Sequence, residues 1–177
     1  TITFEENGGS AVLDITQGYN TAVVAPTAPT KMGYTFGGWY SDSALTTAYT
    51  FGTMPAQNIT LYAKWTLNNY TITFEENGGS AVLDITQGYL TAVVAPTAPT
   101  KSGYTFAGWY SDIALTTAYT FSTMPAENIT LYAKWDVITY TITFMNVENL
   151  SPMSLTAGAA IVITDPTKEG YEFHGWY

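Results

Sequence analysis

The side chains able to do covalent or acid–base chemistry are few and poorly placed. There is no Cys, and the single His, His174, sits beside Gly175-Trp176 where two earlier copies of the same stretch carry Gly37 and Ala107. A Ser or Cys nucleophile needs a base within reach, and residues 1–140 hold no His. His174 is therefore read as a surface or packing residue. Glu5-Glu6 and Glu75-Glu76 are adjacent carboxylates, but neighbours on a strand point to opposite faces and do not flank one bond as a glycosidase pair must. They are read as solvated strand ends. Asp42 with Ser41 and Ser43, and Asp112 with Ser111, are the loop oxygens that could attract calcium. No EF-hand or dense Asp-Gly series accompanies them, so no metal or other cofactor is expected. Asn7-Gly8-Gly9 lacks the Lys and the helix of a phosphate-binding loop. The expectation is a chain that is not an enzyme.

What remains is aromatic surface. Trp and Tyr that stay exposed form platforms for sugars and for protein hot spots. Trp39, Tyr40 and Tyr62, with Trp109, Tyr110 and Tyr132, are the candidate ligand-contact residues, and Tyr49 and Trp65 belong to the same set. The competing role is core. Aromatics are 15% of the residues, and in a Cys-free unit of this size large rings must supply the buried area that disulfides would otherwise replace. Core duty has the stronger claim on them.

Charge narrows the partners. Five Lys, no Arg and fourteen acidic residues give a net charge of −9, the wrong sign for a phosphate backbone, so nucleic acid is not expected. No apolar run approaches the length of a membrane-spanning helix. No initiator Met or signal peptide opens the sequence, which reads as an internal segment.

These residues are positioned by a repeat. Gly33-Tyr34-Thr35-Phe36-Gly37-Gly38-Trp39-Tyr40 returns at Gly103 to Tyr110 and, altered, at Gly170 to Tyr177. Residues 1–70 match residues 71–140 at 60 of 70 positions, and a third copy opens at Thr141. The expected domains are 1–65, 71–135 and a truncated 141–177 that lacks its last strand, joined by linkers 66–70 and 136–140. The linkers are short and free of Gly and Pro, so they read as strand-like joints, and the array as a rod.

Within a copy, Thr1-Ile2-Thr3-Phe4 alternates as a half-buried strand does, with Ile2 and Phe4 inward. Asn7-Gly8 supplies the positive φ angles of a tight turn, from which residues 10–16 return antiparallel with Leu13 and Ile15 on the core side. Residues 21–25 are read as one helical turn capped by Thr21 and ended by Pro26, with extended chain through Pro29 as the alternative. Tyr34–Tyr40 is expected as the central strand, with a bulge permitted at Gly37 and Gly38. Residues 59–65 form the cleanest strand, with Ile59, Leu61, Ala63 and Trp65 on one face.

The Gly-Tyr-Thr-Phe-Gly-Gly-Trp-Tyr stretch, with Thr1-Ile2-Thr3-Phe4 before it, the Pro-Thr-Lys run between, and Leu61-Tyr62-Ala63-Lys64-Trp65 after it, resembles the Listeria-Bacteroides repeat, the internalin B-repeat family. The resemblance implies an α+β, β-rich fold: small β-grasp, ubiquitin-like modules in tandem, each a twisted, mostly antiparallel sheet with at most one short helix. It also implies a place on secreted or wall-anchored bacterial surface proteins, as a stalk, spacer or interaction module. The primary expectation is a stalk. The alternative is an adhesin that binds host protein or glycan through exposed aromatics, and a third is an accessory domain of a glycan-processing enzyme.

The third copy departs from the pattern, with Met145-Asn146-Val147-Glu148-Asn149 in place of Glu-Glu-Asn-Gly-Gly and three residues fewer before Gly170. If it lacks its last strand, an open edge invites pairing with another chain. Self-association is accordingly expected through the third copy or through the Ile2 and Phe4 strand. Asn58, Asn69, Asn128 and Asn149 stand in Asn-x-Ser/Thr triplets, to which no weight attaches.

Overall fold

The computed structural model describes residues 1–147 and 150–177. Glu148 and Asn149, in the altered turn of the third copy and in one of the Asn-x-Ser/Thr triplets, lie outside the described residues. The chain clusters into two compact units, Thr1–Ile72 with Ile85–Val94 and Phe121–Ile129, and Thr73–Asp84 with Ala95–Thr120 and Thr130–Tyr177.

In the first copy, β1 (Ile2–Glu5), β2 (Tyr34–Tyr40) and β3 (Ile59–Leu67) form a sheet in the order β1-β3-β2. β1 runs parallel to β3, with Ile2 opposite Ile59 and Phe4 opposite Leu61; β2 runs antiparallel, with Phe36 opposite Trp65 and Tyr40 opposite Tyr62. Period-2 alternation puts Ile2 and Phe4 with Leu61 and Ala63 on one face. There they are buried together with Val23, Trp39 and Met54. Burying an aliphatic or aromatic side chain contributes about 1.5–3 kcal/mol, so these few residues carry the stability of the copy.

The turn after β1 has the form expected of Asn-Gly, with φ of 50° at Asn7 and 83° at Gly8 and the Gly9 amide donating to the Glu6 carbonyl (3.0 Å). Asn7 then ties the turn to the sheet, its Nδ2 donating to the Ala63 carbonyl (2.8 Å). Asn58 holds the other end, where its Oδ1 accepts from the Thr1 amino group (2.8 Å).

Several expectations are corrected. Among the described residues there is no helix, so the fold is all-β rather than α+β. Residues 21–25 are extended, because their backbone groups pair across the copy. Val23 N–H donates to the Gly52 carbonyl (2.8 Å), Met54 N–H to Thr21 (2.8 Å) and Asn20 N–H to Met54 (2.9 Å). A helical turn would have forfeited these bonds, and the chain alternates accordingly, with Val23 buried and Ala22 and Val24 exposed. Tyr34–Tyr40 is an edge strand, since β3 lies between the other two. Leu13 faces solvent. Residues 10–14 form no regular strand; the Glu6 carboxylate accepts from Val12 N–H (2.7 Å), and Val12 with Ile15 packs on the core instead. Glu6 is thus a structural acceptor rather than a solvated strand end, and its own carbonyl accepts from Trp65 Nε1 (2.8 Å).

The second copy comprises β4 (Asn69–Glu75), β5 (Ile85–Gly88), β6 (Tyr104–Tyr110) and β7 (Ile129–Val137), in the sheet order β5-β4-β7-β6. β5 returns antiparallel on β4, with Ile72 opposite Ile85. In the third copy β8 (Thr139–Ile142) pairs antiparallel with β9 (Met153–Thr156). Phe144 and Phe173 pack on Trp176 at centroid distances of 5.1 and 5.2 Å. The same ring geometry joins Phe4 and Phe36 to Trp39, at 4.6 and 5.4 Å.

Candidate interaction face and inter-repeat joint

The six candidate contact residues divide between the two sides of the sheet. Trp39 and Trp109 are core residues, each 5% exposed. The reason is the bulge in β2 and in β6: the register shifts between Phe36 and Trp39 and between Phe106 and Gly108. An added residue reverses the alternation, so Phe36 and Trp39, an odd number of positions apart, meet on the core side with Trp65.

Tyr40, Tyr62, Tyr110 and Tyr132 lie on the opposite face. Tyr62 falls between buried Leu61 and Ala63, and Tyr40 follows buried Trp39, so both point away from the core. They are directly opposed across β2 and β3, as Tyr110 and Tyr132 are across β6 and β7. Lys64 Nζ stands 4.7 Å from the Tyr40 ring centre, and Lys134 repeats this at 4.7 Å over Tyr110. All four tyrosines are half-buried. The face offers phenol hydroxyls, ring edges and one cation per complete copy.

Tyr49 and Trp65 pack against the core of the first copy. Lys31 lies over Tyr34 (4.6 Å) and Trp65 (5.8 Å) and donates to the Asn7 carbonyl (2.8 Å), so its charge is engaged within the fold. His174 is exposed.

The candidate calcium loop is closed by its own carboxylate. Asp42 Oδ2 accepts from Thr47 N–H (2.7 Å) and Oδ1 from Thr46 N–H (3.1 Å) and Oγ1 (3.0 Å). These backbone donors, Thr46 first, hold the Asp42 carboxyl below the usual carboxylate range, and Thr116 and Thr117 do the same for Asp112. Among the described residues no group of three or more His, Asp or Glu converges.

Sequence reasoning missed the packing at the joint between β3 and β4, which lies inside the first compact unit. One residue, Asn68, separates these strands. Asn68 N–H donates to the Gly33 carbonyl (2.9 Å), and Tyr89 N–H donates to the Asn68 carbonyl (3.0 Å). The Tyr89 ring stands edge-on to Tyr34 and to Tyr70, at 6.5 Å from each. Gly33, at φ 77°, is buried beneath it. The available signal was the recurrence of Gly-Tyr at Gly18-Tyr19 and Gly88-Tyr89. Between β7 and β8 the backbone scheme recurs, Ile138 donating to Gly103 (2.9 Å) and Ala157 to Ile138 (2.8 Å), with Ala157 where the first joint has Tyr89.

Small all-β units, recurring in sequence and in ring geometry and joined strand to strand, define a tandem-repeat protein. The chain belongs to the Listeria-Bacteroides repeat domain family, whose model matches residues 1–64, 70–134 and 140–177. Internalin H of Listeria monocytogenes is 48% identical over 125 residues, 68% of this chain and 22% of that protein. Two proteins of Evansella cellulosilytica, named putative Gly-rich membrane protein and putative membrane protein, are each 41% identical over 99% and 100% of this chain. The chain spans 21% and 27% of their respective lengths, about a quarter of the relatives it matches.

Proposed function

We propose that this segment is a non-catalytic spacer of a bacterial cell-surface protein, built of β-grasp-like modules, with domains at residues 1–65, 71–135 and 141–177. The joint between β3 and β4 carries the reading: two strands separated by one residue, with the Tyr89 ring seated against Gly33, resist bending in a way that a Gly/Ser tether does not. Membership in the repeat family and similarity to proteins named as an internalin and as membrane proteins support a surface location, cell wall or secreted. The β-grasp assignment is supported by the parallel pairing of β1 with β3 beside an antiparallel β2. Small-angle scattering at several concentrations tests the proposal. A concentration-independent, elongated particle supports it; a compact particle overturns it.

The outward Tyr40 and Tyr62 pair, repeated as Tyr110 and Tyr132, favours a second reading, an adhesive face for host protein or glycan. Tyrosine rings beside a Lys suit sugar hydroxyls and ring faces. Glycan-array and host-protein binding that falls in a Tyr62→Ala/Tyr132→Ala variant would support it, and binding unchanged in that variant would remove it.

A further inference from the structure

Asn7 and Asn77 are the asparagines of this chain that precede a glycine. The side-chain amide of an asparagine is open to attack by the backbone nitrogen of the next residue, and a glycine there has no Cβ to block the approach. Every other asparagine, Asn146 before Val147 among them, is followed by a residue that carries a side chain.

The fold holds both pairs in the open and restrains them there. Asn7 with Gly8 and Asn77 with Gly78 are exposed at the turns that follow β1 and β4, within reach of water. Their backbones are left-handed, with φ of 50° and 83° in the first turn and 51° and 82° in the second. Each asparagine is tethered to the sheet, Asn7 Nδ2 donating to the Ala63 carbonyl (2.8 Å) and Asn77 Nδ2 to the Ala133 carbonyl (2.7 Å). For the side-chain carbon to close a ring on the glycine nitrogen, the amide must first swing off that carbonyl.

We propose that Asn7 and Asn77 are deamidation sites, and that local opening of the tethered turn gates the reaction. In the open turn the Gly8 nitrogen bonds to Asn7 Cγ and the Cγ–Nδ2 bond breaks. Ammonia leaves with the proton lost from Gly8 N–H. Water then opens the resulting succinimide at either carbonyl, giving aspartate or isoaspartate, and Asn77 with Gly78 reacts in the same way. Neither product restores the tether. A carboxylate has no hydrogen to donate to the Ala63 carbonyl, and isoaspartate adds a methylene to the backbone of a tight turn. Each conversion also adds one negative charge to a chain whose net charge is −9. The reaction therefore unfastens the turn from β3 or β7 irreversibly. The third copy, with Asn146 at φ 62° before Val147, is spared. The inference goes beyond the spacer and adhesive readings and depends on neither.

The test is peptide mapping by mass spectrometry of the full chain, held at mildly alkaline pH with and without denaturing urea, with isoaspartate scored separately. In urea the peptides carrying Asn7 and Asn77 should convert, partly to isoaspartate, while the peptide carrying Asn146 keeps its amide. Without urea both conversions should slow by about fivefold or more, the factor that one net hydrogen bond supplies. Trp65→Phe, which removes the Nε1–H bond to the Glu6 carbonyl beside the first turn, should make Asn7 convert faster than Asn77 in the folded chain. The double variant Asn7→Asp/Asn77→Asp, which has one of the two products at both sites, should unfold at a lower urea midpoint. Conversion in urea no faster at Asn7 and Asn77 than at Asn146 overturns the assignment of the sites. Equal rates with and without urea, or equal rates at Asn7 and Asn77 in Trp65→Phe, overturn the gating. An unchanged midpoint in the double variant overturns the loss of the tether.

Discussion

Tyr89 packs directly on Gly33: a Cβ built at position 33 would lie 1.9 Å from Tyr89 Cδ1. Gly33 meets two requirements at once, a left-handed backbone and a missing side chain.

Gly33→Ala should therefore destabilise more than Gly103→Ala. Both positions have φ near +80°, and the backbone strain, about 1–2 kcal/mol, is common to them. At Gly103 the added methyl meets only the Ala157 Cβ, at 2.9 Å. The difference in urea midpoints between the two variants reads the Tyr89 contact, and Gly33→Ala is expected to have the lower midpoint.

Leu61 and Tyr62 are sequence neighbours on opposite faces of β3. Leu61→Ala should cost about 2–5 kcal/mol through the cavity it leaves. Tyr62→Ala, on the outer face, should cost about 1 kcal/mol or less. Denaturant unfolding of the two variants checks the ordering, and equal losses would contradict the assignment of faces.

Trp65 both packs against the core and donates Nε1–H to the Glu6 carbonyl. Trp65→Phe keeps a ring and removes the donor, so a loss of about 1–3 kcal/mol is expected, reflecting the smaller ring and the lost hydrogen bond to a carbonyl that still accepts from Gly9 N–H. Hydrogen exchange at the Gly9 amide, which shares that carbonyl, should quicken in the variant.

Asp42 gives the loop at residues 41–47 a pH dependence. Its carboxyl is held below the unfolded value near 3.8 by the Thr46 and Thr47 amides. A depressed folded pKa means that the contribution is complete above the unfolded value and is lost as pH falls through the folded one. The Thr46 and Thr47 amide resonances should move together below about pH 4. Asp42→Asn should abolish that titration, and the same holds for Asp112 with Thr116 and Thr117.

Patterns of local origin were readable from residue type. Asn7-Gly8 specified positive φ, because few residues other than Gly and Asn adopt it without steric cost. Strict alternation marked residues 59–65, where β3 indeed places Leu61 and Ala63 inward. The paired glycines marked the bulge in β2. The recurrence of whole stretches marked the repeat, which the family match bears out.

Decisions that rest on distant partners were not readable. Whether residues 21–25 coil or extend depends on the backbone groups of Gly52 and Met54, some thirty positions away. Whether Leu13 is buried depends on the Glu6 carboxylate, which fixes Val12 rather than its neighbour. Whether Trp39 faces in or out depends on how the bulge is taken up against β3, since one added residue reverses a period of two. Side-chain type and spacing thus determined the repeat, its turns and the alternation of residues 59–65. Only the tertiary structure decided which strand lay in the middle, which rings faced outward, and that Tyr89 and Ala157 make two different joints from one backbone scheme. Those outcomes follow from packing between segments far apart in sequence.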